Sequence, residues 1–229
     1  GRFRRIRPAS DTPGVFHVDE MTFILGPDGL TGHNNDLDVT DDGLRMVSRR
    51  WIRLKTGLAM ENVHLLAGRR SSWIRAGIGN GTVAADAEWG DSDRVTLVAD
   101  TISIPLLLHE IGESIPVSGF ATVRAVASRT DTSSGQIAWN MQVSSPDLRV
   151  GPAFGRLSMR TNLSLSGAGP SIMDMSGVVE PAPGVPVRIR GRLGPHGFSG
   201  QATLKDRPLR DIRLLGESFG REIPLVGEL

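Results

Sequence analysis

The stretch RLSMRTNLSL, residues 156–165, alternates strictly between two kinds of side chain. Its odd-numbered positions are apolar or threonine, namely Leu157, Met159, Thr161, Leu163 and Leu165, and its even-numbered positions are polar. Successive side chains of a β-strand point to opposite faces of the sheet. The pattern therefore predicts a strand with one apolar face and one polar face.

The same alternation recurs along the chain. Residues 136–143 (QIAWNMQV) place Trp139 and Met141 on one face, and residues 187–193 (VRIRGRL) do the same with Val187 and Ile189. Further predicted strands contain the apolar pairs Met21 and Phe23, Leu37 and Val39, and Val95 and Leu97. A repeated period of two residues indicates many strands that share one apolar side.

Turn signals separate these segments at short intervals. They lie at residues 27–29, 41–43, 80–81, 134–135, 167–170 and 194–197. The pairs Asp42-Gly43 and Asn80-Gly81 supply the positive φ angles that tight hairpin turns require. Because parallel pairing would require long crossover helices, which the sequence lacks, the strands are predicted to be mostly antiparallel.

Short helices are predicted at two places. Ser103 is a suitable cap and Pro105 suits a first turn before residues 106–111, with Gly112 as the stop. A second helix is predicted after Asp206, with Pro208 early in it and Gly216 as its end. The predicted fold is therefore all-β: a long, curved, one-sided sheet, either a β-groove or an open barrel or jelly roll, with one or two short helices.

The composition is that of a folded protein, with 39% hydrophobic and 22% charged residues among 229. All-β folds of this length often form one domain. We therefore predict a single β domain over residues 14–229, preceded by a basic tail over residues 1–13. The tail contains Arg2, Arg4, Arg5 and Arg7, whereas the net charge of the whole chain is only +1.

The sequence contains no apolar run long enough to span a membrane as a helix. It begins at Gly1 rather than at Met. We therefore expect an anchor or signal segment upstream, through which the protein would associate with a membrane.

No pattern in the sequence predicts catalysis. The chain has no Cys, and its five His are not at metal-binding spacings. The glycine-rich stretch at residues 77–81 lacks the Lys-Ser/Thr ending of a phosphate loop, and a G-x-S-x-G elbow is absent. The sequence thus predicts a protein that is not an enzyme, with no catalytic residue, no metal and no cofactor.

Two surfaces are candidates for binding. The apolar face is a candidate groove for acyl chains, although the same residues would equally serve as core; they are Trp139, Met141, Leu157, Met159, Leu163, Leu165, Val187 and Ile189. A basic patch is a candidate site for an anionic lipid or a protein partner and comprises Arg49, Arg50, Arg53, Arg69 and Arg70. Few aromatic residues accompany these arginines, so nucleic-acid binding is not expected.

The second half of the chain resembles a known family. The similarity lies in residues 116–119 (PVSG), 135–139 (GQIAW), 155–157 (GRL), 186–193 (PVRIRGRL), 197–200 (GFSG), 214–216 (LLG) and 224–229 (PLVGEL). In this order they resemble the type II secretion system protein N family, which is similar to the broader AsmA and TamB group of β-groove envelope proteins. The resemblance covers roughly residues 95–229.

This resemblance implies a periplasmic accessory or assembly protein of the secretion system, without enzymatic activity and anchored in the bacterial inner membrane. Its partners would be other secretion-system or envelope proteins. The alternative is an AsmA-like protein that binds or transports lipid. A structural β protein of another kind and an enzyme remain further alternatives.

Overall fold

The computed structural model describes residues 2–8, 14–25, 27–90, 93–110, 117–129, 137–150, 159–168, 173–180, 186–194 and 197–204. These residues form one antiparallel sheet and one helix. The strands are β1 Arg2–Pro8, β2 Val15–Leu25, β3 Asp28–Thr40, β4 Gly43–Arg53, β5 Ala59–Gly68, β6 Ser71–Ile78, β7 Gly81–Glu88, β8 Arg94–Ser103, β9 Val117–Ser118, β10 Phe120–Arg129, β11 Ile137–Val150, β12 Met159–Ala168, β13 Met173–Glu180, β14 Val187–Gly194 and β15 Gly197–Leu204, with helix α1 Ile104–Glu110 after β8.

The sheet is a meander in which each strand pairs with its neighbour in sequence. The order runs from β1 to β15 without closing into a barrel; β8 pairs β10, and the short β9 pairs only the end of β11. This confirms the predicted all-β fold and the helix after Ser103. The second predicted helix and the predicted turn at residues 134–135 lie outside the described residues.

The segment interpreted as a basic tail contains a strand. Arg2–Pro8 forms β1 and pairs antiparallel with β2, for example through Ile6 and Val18. Some of its arginines form ion pairs with β2. For example, the guanidinium of Arg7 lies 2.6 Å from the carboxylate of Asp19. These contacts place β1 within the sheet.

Apolar side chains align from strand to strand on one face. One continuous ladder of Cα partners crosses eleven strands and consists of Phe16, Leu37, Met46, Leu65, Ile74, Ala85, Leu97, Ala125, Met141, Leu165 and Met175. Because each pairing keeps partners on the same side of the sheet, the alternation seen in each strand becomes one apolar surface.

The alternation is interrupted once in each of β1–β5, at the same level of the sheet. The residues that fall between the paired positions there are Arg5, Asp19, Asn34, Arg49 and Asn62, which we call the irregular row. Arg5, Asn34 and Asn62 have left-handed φ angles of 53°, 54° and 50°. The row shifts the alternation by one residue in every strand it crosses.

The shift is clearest on β4. Ser48 and Trp51 are both buried on the apolar face, although they are separated by an odd number of positions. Between them Arg49 and Arg50 are both exposed on the opposite face. Strict alternation would have placed Trp51 in solvent, so the irregular row is what keeps one face apolar on both sides of it.

Candidate functional site

The apolar face of the sheet curls over itself. Val18 and Val63 are fully buried although no second layer of sheet covers them in the described part of the chain. Ile78, Ala99, Ile102 and Val123 form one cluster that extends from Leu58 before β5 to Val143 on β11. A flat single sheet would leave such a face in water, so the sheet is curved into a concave apolar surface, which we call the trough.

Burial along the trough falls from one end of the strands to the other. On β8 Ile102 is 1% exposed and Val95 is 38% exposed. On β2 Met21 is 1% exposed and Phe16 is 39% exposed. On β11 Ser145 is 4% exposed and Ile137 is 49% exposed. The registers place the buried positions at one shared end, the closed end, and the exposed positions at the opposite, open end.

Helix α1 covers the closed end. Its Leu106 and Leu107 pack against the cluster that contains Ile102 and Val123. The backbone N–H of Ile104 donates a hydrogen bond to the carbonyl oxygen of Gly119 at 3.0 Å, which joins the helix to the start of β10. A helix satisfies its own backbone polar groups, so it can close an apolar space without burying unpaired ones.

A charged bridge also holds the helix in place. The Arg53 guanidinium at the end of β4 donates hydrogen bonds to both Asp28 of β3 and Glu110 of α1. The hydrogen bond from Arg53 lowers the pKa of Asp28, and both carboxylates raise the pKa of Arg53. Oε1 of Glu110 is buried without a hydrogen-bond partner among the described residues. The bridge therefore links β3, β4 and the helix across the closed end.

A pocket of about 530 Å³ lies beside this bridge. Its lining combines the three bridging residues with apolar side chains that continue into the trough, and consists of Pro27, Asp28, Gly29, Leu30, Arg53, Lys55, Leu58, Met60 and Glu110. Met60 packs against both buried clusters of the trough. The pocket is therefore the polar margin of the closed end.

The structure brings the described groove candidates together on the trough. Met141 pairs with Leu165, and Leu163 lies one step away on the same face, between Val143 and Gly177. Trp139, Val187 and Ile189 share that face and are half-buried, whereas Met159 is buried at the closed end. Leu157 lies outside the described residues.

The sequence interpretation missed the first half of the trough. Phe23, Leu30, Leu37, Met60, Leu65 and Ile74 pack around its fully buried residues. The signal that would have found it is a three-residue step between buried positions, from Val18 to Met21 and from Ser48 to Trp51. A search for strict alternation with a period of two residues does not detect such a step.

The five arginines of the predicted basic patch lie in three separate places. Arg49 and Arg50 line a pocket on the polar face. Arg53 lies on the opposite face, in the bridge to α1. Arg69 and Arg70 occupy the turn between β5 and β6, at the open end of the trough. The structure therefore does not assemble them into one patch.

The described residues contain no group of three or more His, Asp or Glu side chains arranged to hold a metal ion. Their one helix is too short to span a membrane. Comparison of the chain with protein-family models, with curated proteins and with solved structures finds no match.

Proposed function

We propose that this chain is a non-enzymatic lipid-handling protein of the bacterial envelope, whose trough holds an acyl chain. The observation that carries the proposal is the gradient of burial along the strands, from a helix-covered closed end to an open end with exposed apolar side chains. A core closed on all sides has no such gradient, whereas a groove that receives a chain from one end does.

The backbone of the sheet favours an acyl chain over an extended peptide as the occupant. On the trough, the N–H and C=O groups of each inner strand are engaged by neighbouring strands. A peptide laid on that surface would bury its own backbone groups without partners, at about 1–3 kcal/mol for each group. An acyl chain has no polar groups along its length and avoids this cost.

The length of the trough suits a lipid tail. Met159 is buried at the closed end, whereas Leu163, Leu165 and Gly167 are partly exposed. From Leu163 to Gly167 this accessible part of the apolar face extends about 13 Å, at about 3.3 Å for each residue. One leaflet of a bilayer is about 15 Å of hydrocarbon, half of a core about 30 Å thick. Most of a lipid tail therefore fits in the trough, with the head group beyond the open end.

The proposal is tested with two neighbouring substitutions on β12. Leu165→Asp places a charge on the trough wall, opposite Met141 and Met175, whereas Ser164→Asp places the same charge on the polar face, opposite Gln142 and Ser176. We expect the wild-type protein and Ser164→Asp to retain extracted lipid in native mass spectrometry, and Leu165→Asp to lose it. Leu165 is only half-buried, so its melting temperature should stay close to that of Ser164→Asp.

Four results would refute the acyl-chain site. The first is that the wild-type protein binds neither co-purified lipid nor added fatty acid. The second is that Leu165→Asp retains lipid to the wild-type level. The third is that both variants lose lipid equally, which would indicate a general effect of added negative charge. A large loss of stability confined to Leu165→Asp would instead identify a closed core and would also contradict the proposal.

An accessory role in type II secretion is the second candidate function. It is supported by the resemblance over residues 95–229 and by Arg188 and Arg190, which are exposed on the polar face of β14 and form no ion pair with any described residue. Such unpaired charges suit a protein partner in the periplasm. In that case an outer-face change such as Ser164→Asp should weaken association with secretion proteins while Leu165→Asp leaves it intact.

A further inference from the structure

The polar face of the sheet carries a pocket of about 670 Å³ on β3–β5, on the opposite side from the trough. Its lining is almost entirely polar and consists of His33, Asn34, Arg49, Arg50, Ile52, Glu61 and Asn62. We propose that this pocket binds a phosphate group, either free or as a phosphate monoester. The site is distinct from the acyl-chain site and does not depend on it.

The irregular row creates this pocket. In a regular strand only every second side chain faces outward. At the row, each strand turns two consecutive side chains to the polar face: His33 and Asn34 on β3, Arg49 and Arg50 on β4, and Glu61 and Asn62 on β5. Three neighbouring strands thus concentrate six polar side chains where a regular sheet would place about three.

The charges in the pocket are not balanced within the described structure. Arg49 and Arg50 are both exposed and form no ion pair or side-chain hydrogen bond with a described residue. Glu61 is the one carboxylate in the lining. Adjacent guanidinium groups repel each other, and an anion bound between them removes that repulsion.

The donor geometry favours phosphate over a carboxylate. Each Arg offers five N–H donors in a planar fork, and the Asn34 and Asn62 amides add donors from the strands on either side. A planar carboxylate has only two oxygens, whereas a phosphate has acceptors facing several directions. The Asn residues are held at the row because Asn tolerates the left-handed conformation that both adopt, at φ 54° and 50°.

The test is titration of the purified protein with inorganic phosphate, followed by calorimetry, with acetate as the control anion. We expect saturable phosphate binding by the wild-type protein and none with acetate. Arg50→Gln should weaken binding about tenfold or more, since it removes a charged hydrogen-bond donor. Glu61→Gln should tighten binding several-fold, because it removes the one negative charge that faces the anion.

Arg45→Gln is the matched control. Arg45 is also exposed on the polar face of β4, but it does not line the pocket. This variant should bind phosphate as the wild-type protein does. The three replaced side chains, Arg45, Arg50 and Glu61, are all solvent-exposed, so unfolding is not expected to obscure the result.

The proposal is overturned if inorganic phosphate does not bind at about 10 mM, well above a millimolar dissociation constant. It is also overturned if acetate binds equally, or if Arg45→Gln weakens binding as much as Arg50→Gln.

Vesicles of phosphatidic acid and of phosphatidylcholine then identify the source of the phosphate. Binding to phosphatidic acid that Arg50→Gln abolishes indicates a lipid head group, whereas binding only to glycerol 3-phosphate indicates a free metabolite. Leu165→Asp should bind phosphate normally, which separates this site from the trough.

Discussion

At the scale of single residues, the fully buried Asn35 explains how the trough tolerates the irregular row. Its side-chain NH₂ donates hydrogen bonds to the carbonyl oxygens of Val18 at 3.1 Å and Gly32 at 3.0 Å. Its Oδ1 accepts a hydrogen bond from Nε1 of Trp51 at 3.1 Å, and Trp51 stacks on Phe23 with ring centroids 5.4 Å apart. Asn35 thus binds backbone carbonyl oxygens on β2 and β3 beside the irregular row, and it does so from the apolar side.

Replacing Asn35 tests this role. Asn35→Leu introduces an apolar side chain of similar size. It leaves the Trp51 N–H without its partner and removes the hydrogen bonds that the Val18 and Gly32 carbonyls accept from Asn35. We expect the free energy of unfolding to fall by about 3 kcal/mol, since each unpaired buried group costs about 1–3 kcal/mol and the site can relax in part. Urea denaturation measures this change.

The matched control is Asn140→Leu, because Asn140 is exposed on the polar face of β11. That change should alter the free energy of unfolding by less than about 0.5 kcal/mol. Similar values for the two variants would mean that the hydrogen bonds of Asn35 contribute nothing to stability.

At the scale of elements, the regular strands of this sheet are interrupted at a few places, and at four of them a non-glycine residue is left-handed: Arg5, Asn34, Asn62 and Thr101. β8 repeats the device of the irregular row: Ala99 and Ile102 are both buried, and Asp100 and Thr101 between them are both exposed. The register with β10 shifts at the same level, between Ala121 and Val123. Such interruptions increase local twist and bend, which a long sheet needs in order to curl.

Thr101 is an unfavourable residue for this task. Its φ is 56°, and a β-branched side chain is strained in the left-handed region, whereas Asn tolerates it. Thr101→Asn, which introduces the residue present at positions 34 and 62, should therefore raise the free energy of unfolding by about 0.5–1 kcal/mol. Thermal melting compared with wild type provides the measurement.

Thr96→Asn is the control, and we expect it to lower the free energy of unfolding. Thr96 lies in the regular part of β8, where Asn is a poorer strand residue than Thr. A lower melting temperature for both variants would show that Thr101 carries no conformational strain.

At the scale of the whole molecule, the sheet has no second layer in the described residues and depends on curvature and on α1 to shelter its apolar face. The helix is attached to the closed end by apolar contacts through Leu106 and Leu107 and by the bridge from Arg53 to Asp28 and Glu110. Removing this attachment should expose the pocket beside the bridge and the most deeply buried part of the trough.

The bridge makes stability sensitive to acid. The pKa of Asp28 in the folded protein lies below its ordinary value of 3.8, chiefly because of the hydrogen bond from Arg53. The unfolded chain therefore takes up this proton first as the pH falls. The stabilisation is complete above about pH 5 and is lost as the pH falls through the lowered pKa.

Asp28→Asn should make the free energy of unfolding depend less on pH. We expect the urea midpoint of the wild-type protein to fall more steeply between about pH 5 and pH 3 than that of Asp28→Asn. Asp19, whose pKa is lowered chiefly by its hydrogen bond with Arg7, contributes part of the pH dependence of the urea midpoint in both proteins. Equal slopes for wild type and Asp28→Asn would contradict the proposed role of the bridge.

Local patterns were sufficient to predict the antiparallel strands, the turn before Gly43, a turn next to Asn80 and a short helix after Ser103; the positive φ of the second turn lies at Gly79 and not at the predicted Asn80-Gly81 pair. Each of these depends on side-chain period or on a φ angle set within a few residues. The same is true of the shared face of Met141, Leu165 and Ile189, since period two assigns it strand by strand.

Tertiary structure alone decided where the apolar face is covered and where charges meet. One inserted residue reverses every later side chain of a strand, and its effect becomes visible only when five strands align their insertions in one row. That alignment brought Arg49 and Arg50 onto the same face and placed Arg50 in one pocket with His33 and Asn62. The same alignment buried Trp51 on the apolar face. The contact between Arg53 and Glu110 joins residues far apart in sequence and depends on the curvature of the whole sheet. Such positions follow from register and curvature between strands, which no single stretch of sequence encodes.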